Sequence, residues 1–261
     1  MSHNYQKILD FMVGAGKDLI KKSGNIKDIG VTKRFLTEED LKIERGINAI
    51  LKTFGNQHAI FAEEENDLVK EADDLWVVDP ISGTESFING TDLYTIVVSH
   101  VHNGIAQFAA VYYPAKDELF TAYLGQGAKV NGQLIRIKND NSEVIKVELR
   151  ISKHWKDKAQ EDKVMQLLFP YKVSQYNHSK SMALSYCELA SGRYDGVISM
   201  TRDCFPEFAG ALIIREAGGK FTNIDGESNF NLADRIFVGG NEKIYQELLP
   251  LVKQVLREEA I

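Results

Sequence analysis

Trp76-Val77-Val78-Asp79-Pro80-Ile81-Ser82-Gly83-Thr84-Glu85-Ser86-Phe87 is the stretch on which the reading of this chain turns. Leu75 to Val78 is a short apolar run bounded by polar residues, the pattern of a buried strand. It ends in a carboxylate, Asp79, and Pro80 behind it removes a backbone donor and is expected to bend the chain out of the sheet. Gly83 lets the backbone come close to a ligand, and a helix starting there would turn free amides toward an anion. Asp-Pro followed by Gly-Thr is also ordinary turn chemistry. The buried strand in front and Phe87 behind favour a functional loop over a plain turn.

Upstream, Tyr5, Ile8, Leu9, Met12, Val13, Leu19 and Ile20 recur at helical spacing and predict an amphipathic helix over 5–22. A second helix is expected from about Glu38 to Phe54, with Thr37 as N-cap and Asp40 completing a box-like arrangement. His58 to Ala62 reads as another short strand ending in carboxylates. Downstream, Tyr94 to Tyr113 is a long hairpin, since Asn103-Gly104 tolerates the positive φ angles of a tight turn. A strand at Glu118 to Tyr123 and the glycine-rich stretch Gly125 to Gly132 follow. The wholly polar run Lys138 to Glu143 marks a boundary between an N-terminal subdomain, 1–140, and a C-terminal one, 141–261.

Beyond it, strands at Val144–Ile151, Lys172–Gln175, Tyr194–Ser199 and Ile236–Val238 alternate with helices near Lys158–Leu168, Lys180–Ser191 and Pro206–Ala217. A last helix, Glu242 to Glu258, is expected to be interrupted at Pro250. The order is α+β followed by α/β.

The composition, with 44% hydrophobic and 26% charged residues over 261 positions, excludes a mostly disordered chain. A net charge of −6 gives no overall field for nucleic acid or anionic membranes, so neither is expected as a partner. Two cysteines, Cys187 and Cys204, make no disulfide framework and read as reduced thiols of a cytoplasmic protein. The N-terminus has no signal-peptide pattern, and no apolar run approaches the ~18 residues of a membrane span.

Acidic residues gather at strand ends and loops: Asp40, Glu63-Glu64-Glu65, Asp79, and the Asp203–Glu207 region. Converging carboxylates suit a hard cation such as Mg²⁺, although an acidic triplet alone is usually a solvated face. The stretch around Asp79 resembles the Asp-Pro-Ile/Leu-Asp-Gly-Thr signature of the inositol monophosphatase family, Mg²⁺-dependent, lithium-sensitive phosphomonoesterases. Ala62-Glu63-Glu64 resembles the family's Gly-Glu-Glu, and Gly125-Gln126-Gly127-Ala128 with Asn131-Gly132 resembles its Gly-x-Gly-Ala-x-x-Asn-Gly. Gly210-Ala211-Leu212-Ile213 through Glu216-Ala217-Gly218-Gly219 resembles the end of its Trp-Asp-x-Ala-Ala-Gly signature.

The resemblance implies the layered αβαβα sugar-phosphatase fold shared with fructose-1,6-bisphosphatase, and a homodimer. It implies Glu63, Asp79 and the Ile81 carbonyl as ligands of Mg²⁺, with Mn²⁺ as a possible substitute. Thr84 and Asp40 would orient the attacking water. Ser82, Gly83, Thr84 and Ser181 would meet a small phosphorylated metabolite, the first three in the phosphate loop and Ser181 in the family's substrate-contact region. Reaction would be in-line displacement.

The departures are specific. The signature's second aspartate is Ser82 here, and the late signature's Trp-Asp is Phe205-Pro206. Both lost carboxylates serve a metal on the leaving-group side in the family. Asp203 or Glu207 could compensate from neighbouring positions; otherwise one tightly held cation is expected. An acid that contacts substrate hydroxyls in inositol-specific members is Ser199, and Glu85-Ser86-Phe87 resembles the histidinol-phosphate type more than the inositol type. Two readings stay open: a phosphatase of inositol-phosphate-like, histidinol-phosphate-like or sugar-phosphate substrates, or an impaired member that binds a phosphate ligand or a protein. Other features read as structure. Gly125 to Gly132 lacks the third glycine of a dinucleotide fingerprint, His100 and His102 lack ligand spacing, Trp76 is core, and Ser179-Lys180-Ser181 can be a helix cap.

Overall fold

The structure, a computed structural model, describes residues 5–31, 35–55, 58–64, 72–139, 144–152, 155, 158–175 and 179–257. Residues 140–143, where the subdomain boundary was expected, and Glu65 of the acidic triplet lie outside the described residues.

Two helices open the chain, α1 (Tyr5–Lys22) and α2 (Glu38–Lys52). The Thr37 side chain accepts from the Glu39 and Asp40 amides while Asp40 returns a bond to the Thr37 amide at 2.8 Å, a reciprocal capping box. A seven-stranded sheet follows in sequence order: β1 (Ala59–Ala62), β2 (Asp74–Ser82), β3 (Thr95–His102), β4 (Ile105–Tyr113), β5 (Glu118–Tyr123), β6 (Ala128–Val130) and β7 (Gln133–Leu134). The pairing of β1 with β2 is parallel and the rest antiparallel, and a short helix, α3 (Thr84–Ile88), follows β2. Asn103 (φ 49°) and Gly104 (φ 74°) make the left-handed turn that the dipeptide predicts.

The second sheet runs in the order β11 (Lys220–Asn223), β12 (Ile236–Gly240), β10 (Gly196–Met200), β8 (Lys146–Ile151), β9 (Lys172–Gln175). Its helices are α4 (Lys158–Leu167), α5 (Met182–Ala190), α6 (Phe205–Glu216) and α7 (Glu242–Arg257). Three apolar cores separate the layers. α1 and α2 cover one face of the first sheet through Ile8, Met12, Ile43 and Ile47 against Trp76, Val78 and Phe108. α5 and α6 lie between the sheets, where Tyr186, Phe208 and Leu212 meet Val97, Val111 and Phe237. α7 and α4 close the outside of the second sheet through Leu248, Val252 and Val164. This is the layered αβαβα order.

Two expectations fail. Pro80 does not take the chain out of the sheet: β2 continues to Ser82, and the irregularity is a shift of register between Asp79, paired with Val97, and Ser82, paired with Thr95. A bulge needs no ladder donor at the proline, so the strand survives it. Pro250 does not interrupt α7 either. Ile244, Leu248, Val252 and Val255 on that helix are all at most 3% exposed, and burying such a row outweighs the ~3 kcal/mol of an interior proline.

Candidate active site

The parallel pairing of β1 and β2 sets Ala62 opposite Val78, so Glu63, which leaves β1, stands beside Asp79, the last residue of β2 before its register shift. The Glu63 amide donates to the Val78 carbonyl at 3.2 Å, which fixes this exit. Beyond the register shift, Gly83 (φ 86°) turns the chain into α3. A Cβ there would lie 2.8 Å from the Leu93 carbonyl oxygen and 2.9 Å from the Ser181 nitrogen, so the turn requires glycine twice over, by dihedral and by space.

Thr84, the first residue of α3, donates from Oγ1 to the Ile81 carbonyl at 2.8 Å and to Asp40 Oδ1 at 3.2 Å. One proton is shared between two acceptors, which leaves the hydroxyl's lone pairs for a donor from the cavity. Asp40 is fully buried, and its other oxygen accepts from the Thr37 hydroxyl at 2.5 Å. The cap of α2 and the turn after β2 are thus one hydrogen-bonded unit, linking positions 44 residues apart.

These groups line a cavity of about 440 Å³ with Glu63, Asp79, Ile81, Ser82, Gly83 and Thr84 on one wall. Arg150, Lys180, Thr201, Arg202, Asp203, Pro206 and Glu207 line the opposite side, with Phe61 and Phe205 stacked at 4.4 Å between centroids. Phe205 therefore supplies a wall where the family signature has tryptophan. Among the described residues, no three Asp, Glu, His or Cys side chains converge as a metal cluster. What the cavity does offer is an all-oxygen set, Glu63 and Asp79 with the Ile81 carbonyl, and such donors fit one hard dication with water completing its shell.

Asp203 and Glu207 differ in setting. Asp203 is half-buried at the cavity edge. Glu207 is fully buried in the first turn of α6, where Oε1 accepts from the Tyr186 hydroxyl at 2.8 Å; Oε2 has no hydrogen-bond partner among the described residues. Burial first, and then the Asp203 charge, push the Glu207 carboxyl well above the usual carboxylate range.

Ser181 is absent from the described lining of the cavity. It is fully buried, caps α5 by accepting from the Leu184 amide at 3.3 Å, and shares a 2.7 Å bond with Thr95 Oγ1. Ser199 is likewise buried beneath the wall, accepting from Tyr186 at 2.9 Å. Phe35, at the cavity with a left-handed φ of 63°, and the three basic residues Arg150, Lys180 and Arg202 were not anticipated as site groups. Glu148 and Arg150 alternate with Val147, Leu149 and Ile151 on β8, a pattern that reads as a solvent-facing polar side, yet both are buried in the fold. Lys180 Nζ donates to Glu148 Oε1 at 2.8 Å and Glu188 Oε2 at 2.6 Å, and Arg150 Nη2 donates to the Lys180 carbonyl.

Over 245 residues the chain is 29% identical to the putative Nus factor SuhB of Neisseria meningitidis serogroup B, spanning 91% of this chain and 93% of that one. The extragenic suppressor protein suhB from Bartonella henselae superposes with a TM-score of 0.84 at 24% identity, covering 97% of this chain and 99% of the other. A Thermotoga maritima IMPase gives a TM-score of 0.81 at 25% identity, with 98% and 99% coverage. The sequence pattern described as the inositol monophosphatase family matches residues 11–257. With that match spanning the strands, the phosphate-loop turn and the layered fold alike, this chain belongs to the inositol monophosphatase family.

Proposed function

We propose that the protein is a Mg²⁺-dependent phosphomonoesterase of a small phosphorylated metabolite. The observation that carries this reading is the Thr84–Asp40 hydrogen bond of 3.2 Å beside the neighbouring carboxylates Glu63 and Asp79. Glu63, Asp79 and the Ile81 carbonyl would hold Mg²⁺, with Mn²⁺ able to substitute, and the metal would supply a Lewis acid for the phosphoryl oxygens. Thr84 Oγ1 would accept a hydrogen bond from the attacking water, and Asp40, behind it, would receive the water's proton through that hydroxyl. The Gly83 and Thr84 amides and Ser82 would face the phosphate. As the water oxygen bonds to phosphorus the ester P–O bond breaks, and the departing oxygen takes a proton from a solvent water. Pairing of two copies belongs to the same reading.

A second reading has its own support. The curated relatives bear the name Nus factor SuhB, which speaks of a role in transcription and of macromolecular partners. Ser82 and Pro206 in place of two acids fit a member whose turnover matters less than its surface. Release of phosphate separates the two. Assayed across sugar, inositol and histidinol phosphates with Mg²⁺ and Mn²⁺ varied, the wild type should hydrolyse at least one ester only with metal, and Asp79→Asn should abolish this. Metal-independent or absent release from every ester would leave the binding reading standing alone.

A further inference from the structure

The cavity is lined by Glu63 after β1 and Asp79 on β2, and by Ser82 and Pro206 where the family has acids. Arg150, Lys180, Arg202, Asp203 and Glu207 line it from the second sheet and its connections. The charges of Arg150 and Lys180 are committed. Both side chains are buried, Lys180 between Glu148 and Glu188, and Arg150 against the Lys180 backbone. Arg202 is different: it is exposed, lines the cavity, and has no hydrogen bond or ion pair among the described residues. Its backbone is nonetheless fixed, because the Thr201 amide donates to the Arg235 carbonyl at 2.7 Å and Thr201 Oγ1 donates to the Asp203 carbonyl at 2.5 Å.

We propose that the Arg202 guanidinium binds the phosphoryl oxygens of the substrate, taking the charge-neutralising place that Ser82 and Pro206 leave without a metal seat. Aspartates at those two positions would draw a nearby guanidinium to themselves; serine and proline leave its charge for the ligand. A guanidinium keeps its proton at any working pH and offers a planar fork matched to two phosphate oxygens. In a cavity walled by Phe61 and Phe205 such a contact is screened less than on an open surface. The inference deepens the phosphatase reading and rests on it for the position of the phosphate.

Calorimetry with inorganic phosphate at fixed Mg²⁺ tests it on wild type, Arg202→Ala and Arg202→Lys, with release of phosphate from esters followed on the same samples. Because Arg202 is exposed and unpaired among the described residues, both variants should fold as the wild type does. The alanine variant should bind phosphate at least about tenfold more weakly, with lysine intermediate and added guanidinium recovering part of the loss. Equal phosphate affinity in wild type and Arg202→Ala overturns the contact whatever turnover does. A wild type that binds phosphate through Arg202 yet cleaves no ester overturns the phosphatase reading and upholds the contact.

Discussion

Thr84 is where three parts of the site meet: the turn after β2, the cap of α2 and the cavity. Its hydroxyl reaches Asp40 Oδ1 at 3.2 Å and the Ile81 carbonyl at 2.8 Å, so it is held before any ligand arrives. Positioning of this kind acts mainly in the transition state. Thr84→Ala should therefore lower kcat by about 10²-fold while changing KM much less, and Thr84→Ser should recover most of the loss. Steady-state kinetics on the best ester checks this; an unchanged kcat would contradict the role. The pair was legible from sequence because each residue sits at a fixed place in a recognisable string. Arg202 was not, since one exposed basic residue after a strand carries neither periodicity nor a signature. Ser181, named from a region of family substrate contacts, is absent from the cavity lining, and its hydroxyl accepts from the Leu184 amide and shares a bond with Thr95.

Helix α6 brings the site's energetics into the fold. Glu207 in its first turn is fully buried, and burial followed by the Asp203 charge raises its carboxyl pKa. Tyr186 from α5, Ser199 from β10 and the charges of Asp203 and Arg235 are the groups around it. A carboxyl raised on folding favours the native state below its unfolded pKa of ~4.3, and that contribution is lost as pH rises toward the folded value. Glu207→Gln keeps an acceptor for Tyr186 and has no proton to lose. Thermal melts from pH 5 to 8 should show the variant gaining stability over the wild type as pH rises. A constant difference across that range would mean that Glu207 is already ionised in the fold.

α1, the capped start of α2 and the β3–β4 hairpin follow from periodicity, a capping box and Asn-Gly, all local signals. β6, β7 and β11 were missed because strands of three, two and four residues carry too little alternation, and Gly218-Gly219 before β11 reads as loop. Pro80 and Pro250 misled because the register of a sheet and the burial of a helix face are tertiary facts.

Across the whole molecule, the first sheet is built from residues 59–134 and the second from 146–240, yet α6 from the later stretch packs on both. The cavity is lined from both, with Glu63 and Asp79 from the first sheet and Arg150, Lys180, Arg202, Asp203 and Glu207 from the second and its connections. This geometry follows from the layer order, which the family resemblance implied and with which the α+β then α/β element order agrees. The charges that the second sheet brings were not readable, because Glu148, Arg150, Lys180 and Glu188 become neighbours only when β8 and α5 pack. Among the described residues no helix is long and apolar enough to cross a membrane.

If Ser82 and Pro206 leave a single cation seat, it lies at Glu63 and Asp79. Titration calorimetry with Mg²⁺ in saturating inorganic phosphate measures that directly. One strong site per chain, lost in both Glu63→Gln and Asp79→Asn, is the predicted result. A lone dication beside Ser82 and Pro206 would gain little over bulk hydration, so no second strong site should be seen. Two or more strong sites, or one that survives both substitutions, would contradict the account and turn attention to Asp203 and Glu207 as ligands.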